Sequence, residues 1–193
     1  MEFNFYSTHS IMVARGGSAN LASKIQEQGG KSVLIVTDPG VLAAGLLDRV
    51  LPQFKELKLA VQIFSDVEAD PPIPVIERAI EVAQECRADC IVGFGGGSSM
   101  DVAKLVALLS SGKEKLADIY GIGMAKGPRL PLILVPTTAG TGSEVTQSSV
   151  VTVSENEKKG VLSPHLLPDL AILDAELTLG LPSHVTAATG IDA

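Results

Sequence analysis

Cysteine is scarce in this chain, with Cys86 and Cys90 alone among 193 residues. Two thiols do not make a disulfide framework. No cluster of cysteine and histidine with zinc-site spacing surrounds them, so both read as packing residues. Positive charge is also short: 15 lysines and arginines against 22 aspartates and glutamates leave a formal net charge of −7. No basic stripe is available to neutralise phosphates along a duplex, which excludes a nucleic-acid partner. No apolar run reaches the roughly 18 residues that a membrane-crossing helix needs. Met1 to Tyr6 lacks a basic segment followed by an apolar core, so no secretion signal is expected and the cytoplasm is the default compartment. Repeats and low-complexity tracts are absent as well.

A hydrophobic content of 46% against 19% charged residues argues for a packed core rather than disorder. It has two physical readings. Parallel strands buried on both faces are apolar throughout, and a surface meant to be covered by something else is apolar too. The chain is long enough for one sizeable α/β domain.

Along the chain, residues 3–7 and 11–16 read as two short strands, arranged as a hairpin. A helix starts at Ser18 and stops at Gly29-Gly30. Strands follow at 33–37, 59–64 and 90–94, separated by helices over 42–57 and 72–87, and a further helix covers 98–109. In the 72–87 helix, Ile73, Ile76, Ile80 and Ala83 recur at three- and four-residue spacing. This alternation predicts a doubly wound, mostly parallel α/β sheet. Beyond residue 110 the pattern loosens to a short helix at 114–120 and strands at 130–136, 148–153 and 169–173. A last helix begins near Pro182–Ser183. The chain stops inside that helix with no cap signal, which predicts that it is part of a longer protein.

The most informative segment is Gly95-Gly96-Gly97-Ser98-Ser99-Met100-Asp101-Val102-Ala103-Lys104. It follows the apolar run Cys90–Phe94 and opens a helix. Glycines allow a sharp turn and close approach of a ligand to the backbone, and a helix start presents unpaired amides and the positive end of the helix dipole. The pattern points to a nucleotide-like cofactor, with a plain strand-to-helix turn as the alternative. Ser98 reads as the helix N-cap, with Asp101 three residues later in a near capping-box arrangement. Asp38, at the end of an early strand, either accepts hydrogen bonds from a ribose or caps the turn Asp38-Pro39-Gly40. The glycines come more than 50 residues after Asp38, the reverse of the ordinary dinucleotide fingerprint. A second loop, Pro136-Thr137-Thr138-Ala139-Gly140-Thr141-Gly142-Ser143-Glu144-Val145-Thr146, follows an apolar strand and is rich in hydroxyls.

Taken in order, these two segments, Ser163-Pro164-His165-Leu166-Leu167-Pro168-Asp169-Leu170-Ala171-Ile172-Leu173-Asp174 and Ala187-Ala188-Thr189-Gly190-Ile191-Asp192-Ala193 resemble the iron-containing, metal-dependent alcohol dehydrogenases. The resemblance spans nearly the whole chain. It implies a Rossmann-like, dehydroquinate synthase-like nucleotide-binding domain over 1–181. Residues 182–193 would begin an all-helical metal-binding domain whose remainder is missing. It also implies hydride transfer between a small alcohol or aldehyde and NAD, with NADP as the alternative. Gly96, Gly97 and Ser98 would hold the cofactor diphosphate through their backbone. Asp101 would lie in the same cofactor-binding segment but face away from the diphosphate or bond to loop amides, since it would otherwise repel it. Asp38 would lie at the ribose, Thr137, Thr138 and Thr141 on the facing wall, and Lys158 at a position where the family often has a cofactor-contacting lysine. Asp70 stands at a position that is often polar. Asp192 would be one ligand of an Fe2+ or Zn2+ ion whose histidine ligands are not in this chain. His9, His165 and His184 do not occupy ligand positions. No catalytic residue is assigned, and a chain without the rest of the metal site is expected to be inactive alone. A non-catalytic nucleotide-binding module, or a relative of the glycerol dehydrogenase, maleylacetate reductase or dehydroquinate synthase type, stands as the alternative. A homodimer is a further implication of the family, and an apolar surface is expected near residues 160–193.

Overall fold

The computed structural model describes residues 4–193. In chain order the elements are β1 (Ile11–Val13), α1 (Leu21–Glu27), β2 (Ser32–Val36), α2 (Pro39–Ala43), α3 (Leu51–Glu56), β3 (Ala60–Phe64), α4 (Ile73–Glu85) and β4 (Cys90–Gly95). They continue with α5 (Gly97–Leu109), β5 (Gly121–Ile122), β6 (Leu132–Pro136), β7 (Ser148–Ser154), β8 (Glu157–Leu162), β9 (Leu170–Leu173) and α6 (Ser183–Asp192).

Six strands form one sheet in the order β1-β9-β6-β4-β2-β3, and every pairing in it is parallel. The inner strands are apolar on both faces because both faces are covered. Leu34 and Val36 of β2 point into a core with Ile76 of α4 and Met100 and Leu105 of α5. Val33 and Ile35, one residue out of phase, point into the opposite core with Leu21 and Ile25 of α1 and Phe54 of α3. This is the expected doubly wound, Rossmann-like architecture. The strand order also shows where the winding reverses. From β2 the chain moves outward to β3, then returns to place β4 on the other side of β2 and continues through β6 to β9. The carboxyl ends of β2 and β4 therefore flank a topological switch point, the crevice in which open α/β sheets bind ligands.

A second, three-stranded sheet, β5-β8-β7, lies beside the first, with β7 and β8 antiparallel. Strand β8 was not expected. Its Glu157-Lys158-Lys159 run is exposed and carries no apolar alternation, so its extended form comes from pairing with β7.

Three expectations are corrected. The N-terminal hairpin does not form: residues 4–7 are not a strand, residue 3 lies outside the described residues, and β1 pairs in parallel with β9 instead. The helix over 42–57 is two, α2 and α3, because Gly45 takes a left-handed φ of 65° and Pro52 starts a new helix at the second position of α3. The segment 114–120 holds only a 3-10 turn, Leu116–Asp118. Cys90 is buried in the core and its thiol is pushed up to about 12 by burial, which makes it inert. Cys86 packs partly buried against the other core.

Asp174 ties the two ends of the chain together. Its carboxylate accepts the Gly16 amide at 2.8 Å, the Ser18 hydroxyl at 2.6 Å, and the amides of Ser18 and Glu176 at 3.1 Å each. Burial alone would raise its pKa. The Ser18 hydroxyl and the Ser18, Gly16 and Glu176 amides together hold it below the usual 3.8.

Two predictions follow from this packing. A Cβ on Gly93 would sit 2.7 Å from Leu134 Cδ2, 2.8 Å from Ala103 Cβ and 3.2 Å from the Met100 backbone. Gly93→Ala is therefore expected to cost about 1–3 kcal/mol in urea unfolding. The folded pKa of Asp174 is depressed, so its stabilisation is complete above the unfolded value and is lost as pH falls through the folded one. The stability gap between the wild type and Asp174→Asn should be wide at pH 7 and close below about pH 3.8 in acid titrations followed by circular dichroism.

Candidate functional site

Helix α5 opens at the switch point. Its N-cap is Gly96, not Ser98, and no side chain caps it. The first-turn amides are therefore left to a ligand or to water. Ser98 lies in the first turn, half-buried. From Ser99 onward the helix is almost wholly buried, and only Asp101 interrupts the burial before Leu109. The helix is thus anchored by its body, with its positive end held in the crevice.

Three strand ends surround that end. From β2, Asp38 caps α2 by accepting the Val41 amide at 3.0 Å, and its other oxygen accepts the Ser99 hydroxyl at 3.1 Å. The cap and the link to α5 thus coexist, and Asp38 still borders a cavity of about 420 Å3 with Pro39, Glu68, Gly96, Gly97 and Ser98. From β4 come Gly96 and Gly97. From β6 comes the hydroxyl loop, whose buried Thr137 donates its amide to Gly95 O at 3.0 Å. Thr138 faces Gly96, and Thr141 lies so near Gly97 that an added Cβ would be 3.1 Å from its methyl. The left-handed φ of 60° at Gly142 turns this loop back toward α5.

A second cavity of about 300 Å3 adjoins the first at Gly97 and Ser98 and is lined also by Asp70, Asp101, Thr141, Thr146, Ser148 and Thr152. The Thr152 hydroxyl is buried without a hydrogen-bond partner among the described residues. Lys158 pairs with Asp70 at 2.5 Å, which sets it at the rim. Both partners are exposed, and such a pair adds little to stability.

The element that the sequence reading passed over is Lys104. It is fully buried, and its ammonium donates to Ser143 Oγ at 3.0 Å, Thr146 Oγ1 at 3.2 Å and Ser148 O at 2.8 Å. Asp101 Oδ1 lies 3.6 Å away and accepts the Ser143 hydroxyl at 2.7 Å, while Asp101 Oδ2 accepts the Val150 amide at 2.9 Å. Asp101 is therefore not a capping-box partner: it faces the loop and β7. Burial pulls the Lys104 ammonium down to about 8, while Asp101, by charge and hydrogen bond, and Glu144 push it up. It stays protonated at pH 7, with an acceptor for each of its three N–H bonds. The signal for it was a lone lysine inside Val102-Ala103-Lys104-Leu105-Val106.

At the far end of the chain, α6 buries none of its residues, and Asp192 is exposed on its last turn. Leu179 and Ile191 are 76% and 88% exposed, in the region expected to be apolar. Thr189 touches the hydroxyl loop: a Cβ on Gly140 would fall 2.5 Å from its carbonyl oxygen. No group of three histidine, cysteine, aspartate or glutamate side chains that could hold a metal lies together among the described residues. Among the described residues no helix is long and apolar enough to cross a membrane.

The family model for iron-containing alcohol dehydrogenases matches residues 8–175. The chain belongs to the iron-containing alcohol dehydrogenase family. It is 37% identical to alcohol dehydrogenase 4 of Schizosaccharomyces pombe, over 98% of this chain and 45% of that protein. It superposes on a 1,3-propanediol oxidoreductase with a TM-score of 0.93 at 33% identity, covering all of this chain and 50% of that one. Its TM-score with the sulfoacetaldehyde reductase of Bifidobacterium kashiwanohense, solved in complex with NAD+, is 0.89 at 31% identity, covering all of this chain and 51% of that one. The chain therefore spans about half the length of the relatives it matches.

Removing the buried ammonium leaves the Asp101 carboxylate without its counter-charge and takes one donor each from Ser143 Oγ, Thr146 Oγ1 and Ser148 O. Lys104→Met is expected to lose about 3 kcal/mol or more in equilibrium unfolding. A loss within experimental error would show that the network carries no structural weight.

Proposed function

We propose that this chain is the nucleotide-binding part of an NAD-dependent alcohol dehydrogenase, with the cofactor laid across the switch point between β2 and β4. The observation that supports it most is the junction of three strand ends on one uncapped helix start, in a family where a relative is solved with NAD+ bound. The residues fit the group. Gly96 and Gly97 leave the backbone open to a diphosphate, with Ser98 beside them and the helix dipole behind. Asp101 frames that turn from within. Asp38 meets the adenosine ribose and disfavours a 2′-phosphate, so NAD binds in preference to NADP. Thr137, Thr138 and Thr141 form the facing wall, and Lys158 stands at the rim with Asp70.

The bound nicotinamide supplies the redox chemistry, accepting hydride from an alcohol carbon or returning it to an aldehyde. What these residues supply is orientation and exclusion of water from one face of the crevice. Asp192 is the one residue we assign to a metal, Fe2+ or Zn2+. The described residues do not complete its site, so no step is routed through it. On this reading the chain alone binds cofactor and turns over little alcohol. That same lack of a ligand cluster favours a second reading, a nucleotide-binding module without catalysis. Metal-dependent turnover of a primary alcohol by the chain would exclude it. A homodimer and a cytoplasmic setting belong to this proposal too.

Calorimetric titration tests the reading. NAD+ should bind saturably, NADP+ should bind more weakly, and Gly97→Val, whose side chain would enter the space held by Thr141, should weaken NAD+ at least about tenfold. Tighter binding of NADP+ would overturn the role given to Asp38. Unchanged affinity in Gly97→Val would overturn the placement of the diphosphate.

A further inference from the structure

We propose that Asp70 is a built-in competitor for the dinucleotide: it holds Lys158 at the rim of the second cavity, and the diphosphate must break that pair to draw the lysine in. The proposal rests on the cofactor reading above.

The crevice is short of positive charge. The two cavities that meet at Gly97 and Ser98 are lined by Asp38, Glu68, Asp70 and Asp101 and, among the described residues, by no lysine or arginine. Lys104 is fully buried, and Asp101, 3.6 Å away, offsets its charge. The α5 dipole favours a diphosphate at the glycine turn, and a cation drawn in from the rim adds to it. Lys158 is placed for that. It pairs with Thr152 in the β7–β8 ladder, and directly opposed residues share one face of a sheet. Ser148, Val150 and Thr152 line the cavity from that face.

The ammonium is nonetheless taken by Asp70 Oδ1, at 2.5 Å. Asp70 is fixed through its backbone. Its φ of 54° is left-handed, Pro71 and Pro72 follow it, and the Pro71 carbonyl accepts the Thr152 amide at 3.2 Å. The lysine, on its flexible stem, is the partner that can move. The side chains of Asp70 and Lys158 are 67% and 51% exposed, so the pair is weak. A diphosphate, with two charges, outcompetes one carboxylate for the ammonium. Breaking the pair loses its attraction and leaves Asp70 facing the phosphates. Both effects lower affinity, and only the first needs Lys158.

A double-mutant cycle separates the two effects. NAD+ is titrated calorimetrically, at one low ionic strength, into the wild type, Asp70→Asn, Lys158→Met and the variant carrying both changes. Both positions are exposed and asparagine tolerates a left-handed φ, so all four chains should fold, as circular dichroism checks. Asp70→Asn is expected to bind NAD+ more tightly than the wild type. Its gain should be about threefold larger beside the native lysine than in the Lys158→Met background. Within the Asp70→Asn background, Lys158→Met should weaken NAD+ by about threefold or more. Equal gains in the two backgrounds would overturn the proposal, since Asp70 would then act by repulsion alone with the pair still closed. Unchanged or weaker binding by Asp70→Asn would overturn it too, as would no effect of Lys158→Met in the Asp70→Asn background. Each of these results leaves the cofactor reading standing, because the wild type still binds. A wild-type chain that is folded and does not bind NAD+ would overturn the cofactor reading itself, and the proposal with it.

Discussion

The buried contact between Lys104 and the segment 143–148 is the constraint on which the site depends. Helix α5 is anchored by its body, and the hydroxyl loop is anchored at its start by Thr137. Neither anchor alone fixes how the two approach each other. Lys104 does, with three hydrogen bonds that cannot be satisfied by water once the ammonium is enclosed. Asp101 offsets the charge and extends the same network to β7.

The rest of the site follows from topology. A parallel sheet with helices on both faces must reverse its winding somewhere, and here the reversal separates β2 from β4. That places Asp38 beside the glycine turn although more than 50 residues of chain lie between them. The order of the two signals along the chain is opposite to the ordinary fingerprint, yet both sit at carboxyl ends of adjacent parallel strands. Close approach does the remainder. Gly93 lets α5 settle onto β4, and Gly97 lets Thr141 come within contact of the turn.

Much of this was legible in the residues. The apolar runs of β2, β4 and β6 and the three- and four-residue spacing in α4 identify a doubly wound sheet, because each pattern reports directly which faces are covered. The strand–glycine–helix segment and the hydroxyl loop were legible for a different reason, that glycines after a strand open the backbone at a helix start and a run of threonines supplies hydroxyls. What was misread depended on partners distant in sequence. β1 looked like half of a hairpin, but its pairing strand β9 lies some 160 residues on. β8 has no apolar alternation, since its register is imposed by β7. Ser98 has the composition of an N-cap, but the turn at Gly96 takes that position first. Lys104 was the residue hardest to read, because a charged residue in an apolar helix says only that a partner exists, and its three partners lie about 40 residues later.

The most direct measurement is a titration of the isotopically labelled chain with NAD+, followed by the backbone amide resonances. The account predicts saturable shifts concentrated at Gly96 to Ser99, at Thr137 to Gly142 and at Asp38. Saturable shifts confined instead to the opposite end of the sheet, where Arg129 and Asp169 pair at 2.7 Å beside a cavity of about 840 Å3, would contradict it.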